Sequence, residues 1–370
     1  MKTSFAAVIV LGLAFNIGFA VLDRGGWGID FNQFYSSGRL AGSGHLYDWE
    51  ALRKIEVENG TGVPTGRLPV VAYGYKLLAW LPYPAAHWIW LAMSLAALGV
   101  FAMAWPGVPR DWMIAALVWS VPATLLLLYG QDTPFWLMFF AAGLWLLRKD
   151  RPWLAGMAFA LCICKFHLAL GIPVLLASQK RWKALIAGAA SFAVLIVACF
   201  VIEGPAWVRH YLENSRLPSF SPAPERMPTL YGLSARLPWT AALEITSALA
   251  VVLFLWWFCR RTSDLGLAGA AAAACGLLLA HHAYASDCVL LIPLLLLTLH
   301  RAEAPAWLKL WAALLLAPAP VALLASPAPL PGQLLAAGFV AAGLIGFLRV
   351  QTSVLPEFDP SATPEHAAAR

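Results

Sequence analysis

The chain has 370 residues, of which 61% are hydrophobic and 12% charged, with a formal net charge of +6. So few polar side chains cannot cover a water-soluble body of this size, which excludes a soluble globular enzyme and implies an integral membrane protein. The basic excess sits in short clusters between apolar runs and not in a solvated tract interleaved with aromatics, so no nucleic-acid partner is expected.

The first apolar run, 4–22, follows a single Lys2 and carries Asn16 where a cleaved leader would need small residues, so an uncleaved first span is expected. Further runs follow at 84–105, 112–129, 134–147, 153–164, 168–178, 184–203, 239–258, 265–281, 287–300, 306–324 and 332–349. The expected fold class is an all-α polytopic membrane protein, a helical bundle of about 10–12 membrane segments. With Lys2 cytoplasmic and one crossing per run, the loops holding Arg110, 148–151, 179–183, 260–261, Arg301 and Arg349 all fall on the cytoplasmic side. Two long polar loops, 23–83 and 204–238, then lie outside, with the short links 129–134, 165–167 and 281–287.

The pair 153–164 and 168–178 is too short for two full crossings, since about eleven helical residues reach half way through a bilayer. It either crosses twice or forms a bent, re-entrant hairpin with Lys165 and His167 facing a cavity. Residues 1–350 read as one transmembrane domain without internal repeat, and the polar, Pro/Ala-rich 351–370 as a disordered cytoplasmic tail. The cysteines, Cys162, Cys164, Cys199, Cys259, Cys275 and Cys288, lie in or beside apolar runs and are expected as free thiols.

In the first loop, Asp30 precedes Phe31, Phe34, Tyr35 and Gly38 on one helical face, and Asp48 precedes Trp49, Leu52 and Ile55. Two amphipathic helices lying on the membrane surface would explain both patterns. The apolar stretch 68–84 is broken by prolines and aromatics, as a segment that dips into the interface without crossing would be. Asp30 with Gln33 also fits a capping box, so the sequence supports both a helix cap and a catalytic carboxylate. Asp48 reads as a cap.

A site between these loops and the membrane suits a lipid-linked substrate. Sugar transfer from a lipid phosphate needs a carboxylate to take the acceptor's proton and cations for the departing phosphate. Asp30 can supply the first, and Lys165, His167, Arg39, Arg209 or Arg236 the second. A lysine between two apolar half-helices has no cheap structural role. Tyr35, Gln131, Asp132, His281, His282, Tyr284 and Asp287 are candidates for sugar or acceptor contacts, although turn chemistry explains Gln131 and Asp132 about as well. Adjacent histidines diverge on a helix and no third ligand converges with them, so neither a metal site nor an obligatory metal or other cofactor is expected.

The stretch "DFNQFYSSGRLAGSGHLYDWEAL" (30–52) resembles the signature that follows the first span of glycosyltransferase family 87, the polyprenyl-phosphate-mannose-dependent mannosyltransferases of the class C fold. Residues 129–185 are similar to that family's Gly-Gln link, Ala-Gly helix and lysine-centred turn, "PTLYGLSARL" (228–237) to a later loop, and "HHAYASDCVLLIPLLLL" (281–297) to its Asp-bearing region. Phe166 stands where the family usually has proline after the lysine. The resemblance, over roughly 20–300, implies that Asp30 is the catalytic base. It implies transfer of a hexose such as mannose from a polyprenyl-phosphate donor to a lipid or glycan hydroxyl, at the outer face of the cytoplasmic membrane. The competing reading is a non-enzymatic transporter or flippase of lipid-linked sugars, and a weaker one is another class C transferase.

Overall fold

The computed structural model describes residues 2–22, 27–59, 63–217, 220, 223–235, 237–302 and 304–317. Every regular element among them is helical. In chain order the α-helices are α1 Lys2–Leu22, α2 Ile29–Leu40, α3 Trp49–Asn59, α4 Pro69–Gly74, α5 Lys76–Ala79, α6 Tyr83–Ala104, α7 Arg110–Trp119, α8 Val121–Tyr129 and α9 Thr133–Arg148. They continue as α10 Pro152–Ala160, α11 Gly171–Ser178, α12 Trp182–Glu203, α13 Trp207–Asn214, α14 Leu230–Ser234, α15 Thr240–Arg261, α16 Leu265–Leu279, α17 Ile292–His300 and α18 Ala306–Leu316. Tighter 3₁₀ turns span Leu161–Leu170 and Ala285–Leu291.

Four apolar stretches are long enough to cross a bilayer: α6, 152–178, α12 and α15. The pair α7–α8, bent by 67°, makes a possible fifth, and shorter apolar helices fill the rest. The protein is therefore a multi-pass membrane protein. Only 11% of the apolar window of α12 and 17% of that of α15 are buried inside the protein. Val194 and Val201 on α12 and Ile245 and Leu249 on α15 face outward. Water would not tolerate such faces, and lipid requires them. The run 332–349 and the tail 351–370 lie outside the described residues.

The stretch 152–178 is a hairpin and not one straight span. Phe159 packs on Gly143 and Cys162 Sγ lies 3.7 Å from the Trp136 carbonyl oxygen, so α10 runs antiparallel to α9. Gly156 touches Ala184 and Gly188 on α12, which begins four residues after α11 ends. A straight helix from 156 to 178 would hold these points roughly 33 Å apart, too far for that short link. The chain turns back around Lys165, whose φ of −133° and ψ of 67° interrupt the helix. The stretch is thus a hairpin whose tip carries Lys165.

The helix α16, "LGLAGAAAAACGLLL", is buried from Gly266 to Leu278 and acts as the central post. Its small side chains let neighbouring backbones approach closely, as in membrane bundles generally. The Ala272 carbonyl abuts Gly171, and the Leu168 carbonyl abuts Gly276, so a Cβ at either glycine would clash. These contacts pin the hairpin's tip to the core.

The first long loop departs from the expected surface helices. In α2, every residue from Phe31 to Gly38 is buried, because α3, α4 and α5 fold over it. Its polar residues are satisfied inside: Ser37 Oγ donates to the Gln33 carbonyl at 2.7 Å and meets Thr65 Oγ1 at 2.9 Å, and Asn32 Nδ2 donates to the Glu56 carbonyl at 3.3 Å. Asp48 caps α3 as expected, accepting from Glu50 N and Ala51 N at 3.0 and 3.1 Å. Segment 68–84 forms the short helices α4 and α5 and does not cross. All six cysteines are free thiols.

The loops separate into two ends of the bundle. At one end Gln179 Nε2 donates to the Thr262 carbonyl at 3.2 Å, and Arg301 pairs with Asp264 at 3.1 Å. At the other end the long loops and the links 129–134, 165–167 and 281–287 converge.

Candidate active site

Asp30 is not the cap of α2. The helix begins one residue earlier, with Gly28 in the N-cap position, and Gln33 donates to the Pro64 carbonyl at 3.4 Å and not back to the helix start. Asp30 sits in the first turn, where the helix dipole favours a negative charge, and its Oδ2 accepts from Gln131 Nε2 at 2.6 Å. Gln131 reaches it because Gly130 ends α8 with φ 73° and packs directly on Phe31, while Trp90 Nε1 donates to the Gly130 carbonyl at 2.8 Å.

Beneath Asp30 lies a buried ion network. Arg67 grips Asp132 with two parallel bonds, Nε to Oδ2 at 2.6 Å and Nη2 to Oδ1 at 2.9 Å, and Tyr75 donates its hydroxyl to Oδ2 at 3.0 Å. The guanidinium also stacks 4.8 Å above the Phe34 ring. Lys165 Nζ donates to Asp287 Oδ1 at 2.7 Å and stands 4.0 Å from Asp132 Oδ1. Thr133 Oγ1 and the Tyr284 backbone N–H, each at 2.9 Å, complete the donors to Asp287. Two cations and two carboxylates balance, which is the condition for burying any of them.

Above this network is a cavity of about 700 Å³, bounded by Asp30, Gln33, Arg67, His167, His281, His282 and Tyr284, with Tyr211, Phe220 and Tyr231 from the second long loop opposite. Burial raises the Asp30 carboxyl to about 6, against the pull of Lys165, Arg67 and the Gln131 bond. Burial opposes the Arg67 charge, but Asp132 overcomes it and holds the guanidinium above its ordinary range. Burial, with Lys165 nearby, pushes His282 down to about 4, so its ring is neutral at physiological pH. His282 Nδ1 and His167 Nε2 are buried and find no hydrogen-bond partner among the described residues, although their rings lie edge to face at 5.6 Å. At the rim, His281 Nδ1 meets Glu244 Oε1 at 2.7 Å, and its ring lies 3.9 Å from that of Tyr231.

The structure sorts the sequence candidates into groups. Asp30, His167, His281, His282 and Tyr284 line the cavity. Gln131 orients Asp30 and is not among the lining residues. Lys165, Asp132 and Asp287, each 1% exposed or less, pair with one another and are not among the residues that line the cavity. Tyr35 is buried among aromatic rings and donates to the Leu81 carbonyl at 2.8 Å, away from the cavity. Arg39 is exposed at the end of α2, and Arg209 is exposed and faces Glu213 at 3.8 Å, so neither enters the site. Arg236 lies outside the described residues.

Sequence reasoning missed Arg67, the cation that lines the cavity. Its signal was its place directly before the apolar stretch 68–84, where a charge cannot stay solvated. Gln33, Tyr211, Phe220 and Tyr231 were also missed, since nothing in one sequence shows which loop aromatics turn inward.

The protein is thus a multi-pass helical membrane protein with a polar cavity in which, among the described residues, Asp30 is the one lining carboxylate. The sequence profile of glycosyltransferase family 87 matches residues 69–281, and the chain belongs to that family. Membership implies glycosyltransferase activity. The match begins after Asp30 and Arg67 and ends before Asp287, so it does not cover those three. No curated protein and no solved structure matches the chain significantly.

Proposed function

We propose that this membrane glycosyltransferase moves a hexosyl group, such as mannosyl, from a polyprenyl-phosphate donor to a hydroxyl of a lipid or glycan acceptor. The observation that carries the reading is Asp30: it faces the cavity held by an amide, whereas Asp132 and Asp287 are held by cations. Asp30 takes the proton of the acceptor hydroxyl as that oxygen bonds to the anomeric carbon. The bond from that carbon to the phosphate oxygen breaks, and its electron pair leaves with the polyprenyl phosphate. Arg67 presents positive charge to the departing phosphate, and the open nitrogens of His167 and His282 can hydrogen-bond to it or to sugar hydroxyls. These residues accomplish the transfer without an obligatory metal, so a chelator should leave turnover intact.

The basic clusters of loops 148–151, 179–183 and 260–261 occupy the end opposite the cavity, which supports an active site at the outer face of the cytoplasmic membrane. Asp30→Asn tests the assignment. Because Asp30 caps nothing, the variant should fold, and loss of a general base should lower turnover by about 10²–10⁴-fold. Retained activity with a matched donor and acceptor would overturn it. Mass spectrometry of cellular glycolipids with and without the protein would identify the sugar and acceptor.

A further inference from the structure

On the lipid side of the hairpin, between α10–α11 and α12, an apolar groove of about 390 Å³ opens, walled by Phe159, Ile163, Phe166, Leu176, Leu185 and Phe192. Phe166 also walls the polar cavity, beside His167. A second groove of about 370 Å³, among α1, α6, α7 and α8, has no lining residue in common with that cavity. Of these two grooves, the first therefore adjoins the polar cavity, with the Phe166 side chain standing between groove and cavity. An occupant joining the two must be apolar along its length and polar at one end, with the change falling at Phe166.

We propose that the groove between the hairpin and α12 seats the phosphate-proximal isoprenoid units of the donor's carrier chain, which enters the cavity past Phe166. This rests on the polyprenyl-phosphate reading above. The short helices of the hairpin and the small residues Gly188 and Ala189 of α12 leave the space, and its almost wholly apolar lining offers an isoprenoid chain burial without fixing its headgroup.

Ala189→Trp fills the groove from an exposed, lipid-facing position outside the polar cavity, and Val194→Trp, on α12 beyond the groove, is the control. Two donors bearing the same sugar are compared: a full-length polyprenyl-phosphate hexose, and an analogue whose chain is too short to occupy the groove. Ala189→Trp should raise KM for the long donor about tenfold, the equivalent of roughly two buried methylenes, with kcat and the short donor unaffected and Val194→Trp silent. Equal effects on both donors, no effect on either, or a rise confined to the acceptor's KM would overturn the proposal. Native mass spectrometry of polyprenyl phosphate binding keeps the test independent of turnover. If wild type turns over no donor, the transfer reading fails. The groove assignment then stands if Ala189→Trp still weakens carrier binding about tenfold, and falls if it does not.

Discussion

Replacing Lys165 by methionine isolates the balance of the buried network, because it keeps most of the side chain's bulk and removes its charge. In the wild type Lys165 bonds to Asp287 at 2.7 Å and lies 4.0 Å from Asp132. Asp132 retains the two-bond grip of Arg67, so the loss falls on Asp287, left fully buried with one hydroxyl and one backbone N–H. Breaking one side of such a pair costs about 3–5 kcal/mol, or a fall in Tm of roughly 6–10 °C at about 2 °C per kcal/mol. Thermal unfolding in detergent, followed through the 18 tryptophans, reads this directly. Adding Asp287→Asn to Lys165→Met removes the orphaned charge and should recover at least half of the lost stability. If Lys165→Met were as stable as wild type while KM for the donor rose, Lys165 would be free to bind phosphate, and the structural account of it would be wrong.

Transfer should rise with pH through about 6, because Asp30 must be ionised to act as base and burial holds its carboxyl there. Gln131→Leu removes a bond that favours the ionised form, so its pH–rate midpoint should move upward. A structural role alone would lower the rate and leave the midpoint in place. Asp30→Asn should be more stable than wild type at pH 7, by up to about 3 kcal/mol, since a carboxyl raised from 3.8 to about 6 has paid an ionisation cost that asparagine avoids; a clear loss of stability in urea titration would contradict this. Glu56, raised by burial to about 8, has Oε1 buried and Oε2 accepting from Val63 N at 2.5 Å. Its contribution to stability is complete below 4.5 and lost as pH rises through 8, so Glu56→Gln should flatten the alkaline fall in Tm.

What was legible in the sequence were features that one stretch of chain decides for itself. Hydropathy marks the spans, Asp48 announces its cap, and the two half-length runs foreshadow a hairpin around Lys165. Lys165 was conspicuous because an intramembrane charge demands a partner, but its partner lies 122 residues away and no local pattern names it. The opposite failure occurred at α2. Its alternation of Phe31, Phe34 and Tyr35 with polar residues is a sound surface-helix pattern, and only the folding of α3–α5 over its polar side makes those positions interior. For Asp30 the sequence left a helix cap and a catalytic carboxylate both open; the cap is excluded because Gly28, free to adopt φ 70°, takes the N-cap position two residues earlier.

The distance along the chain between Lys165 and Asp287 has a consequence for how the protein is made. The hairpin's tip emerges from the ribosome 122 residues before the carboxylate that neutralises it, and Thr133 precedes that carboxylate by 154. Until α16 and the turn after it have been synthesised, the tip holds a cation that lipid will not accept. Closure of the network is a late event in biogenesis, and a chain that stops before residue 287 has no means of completing it.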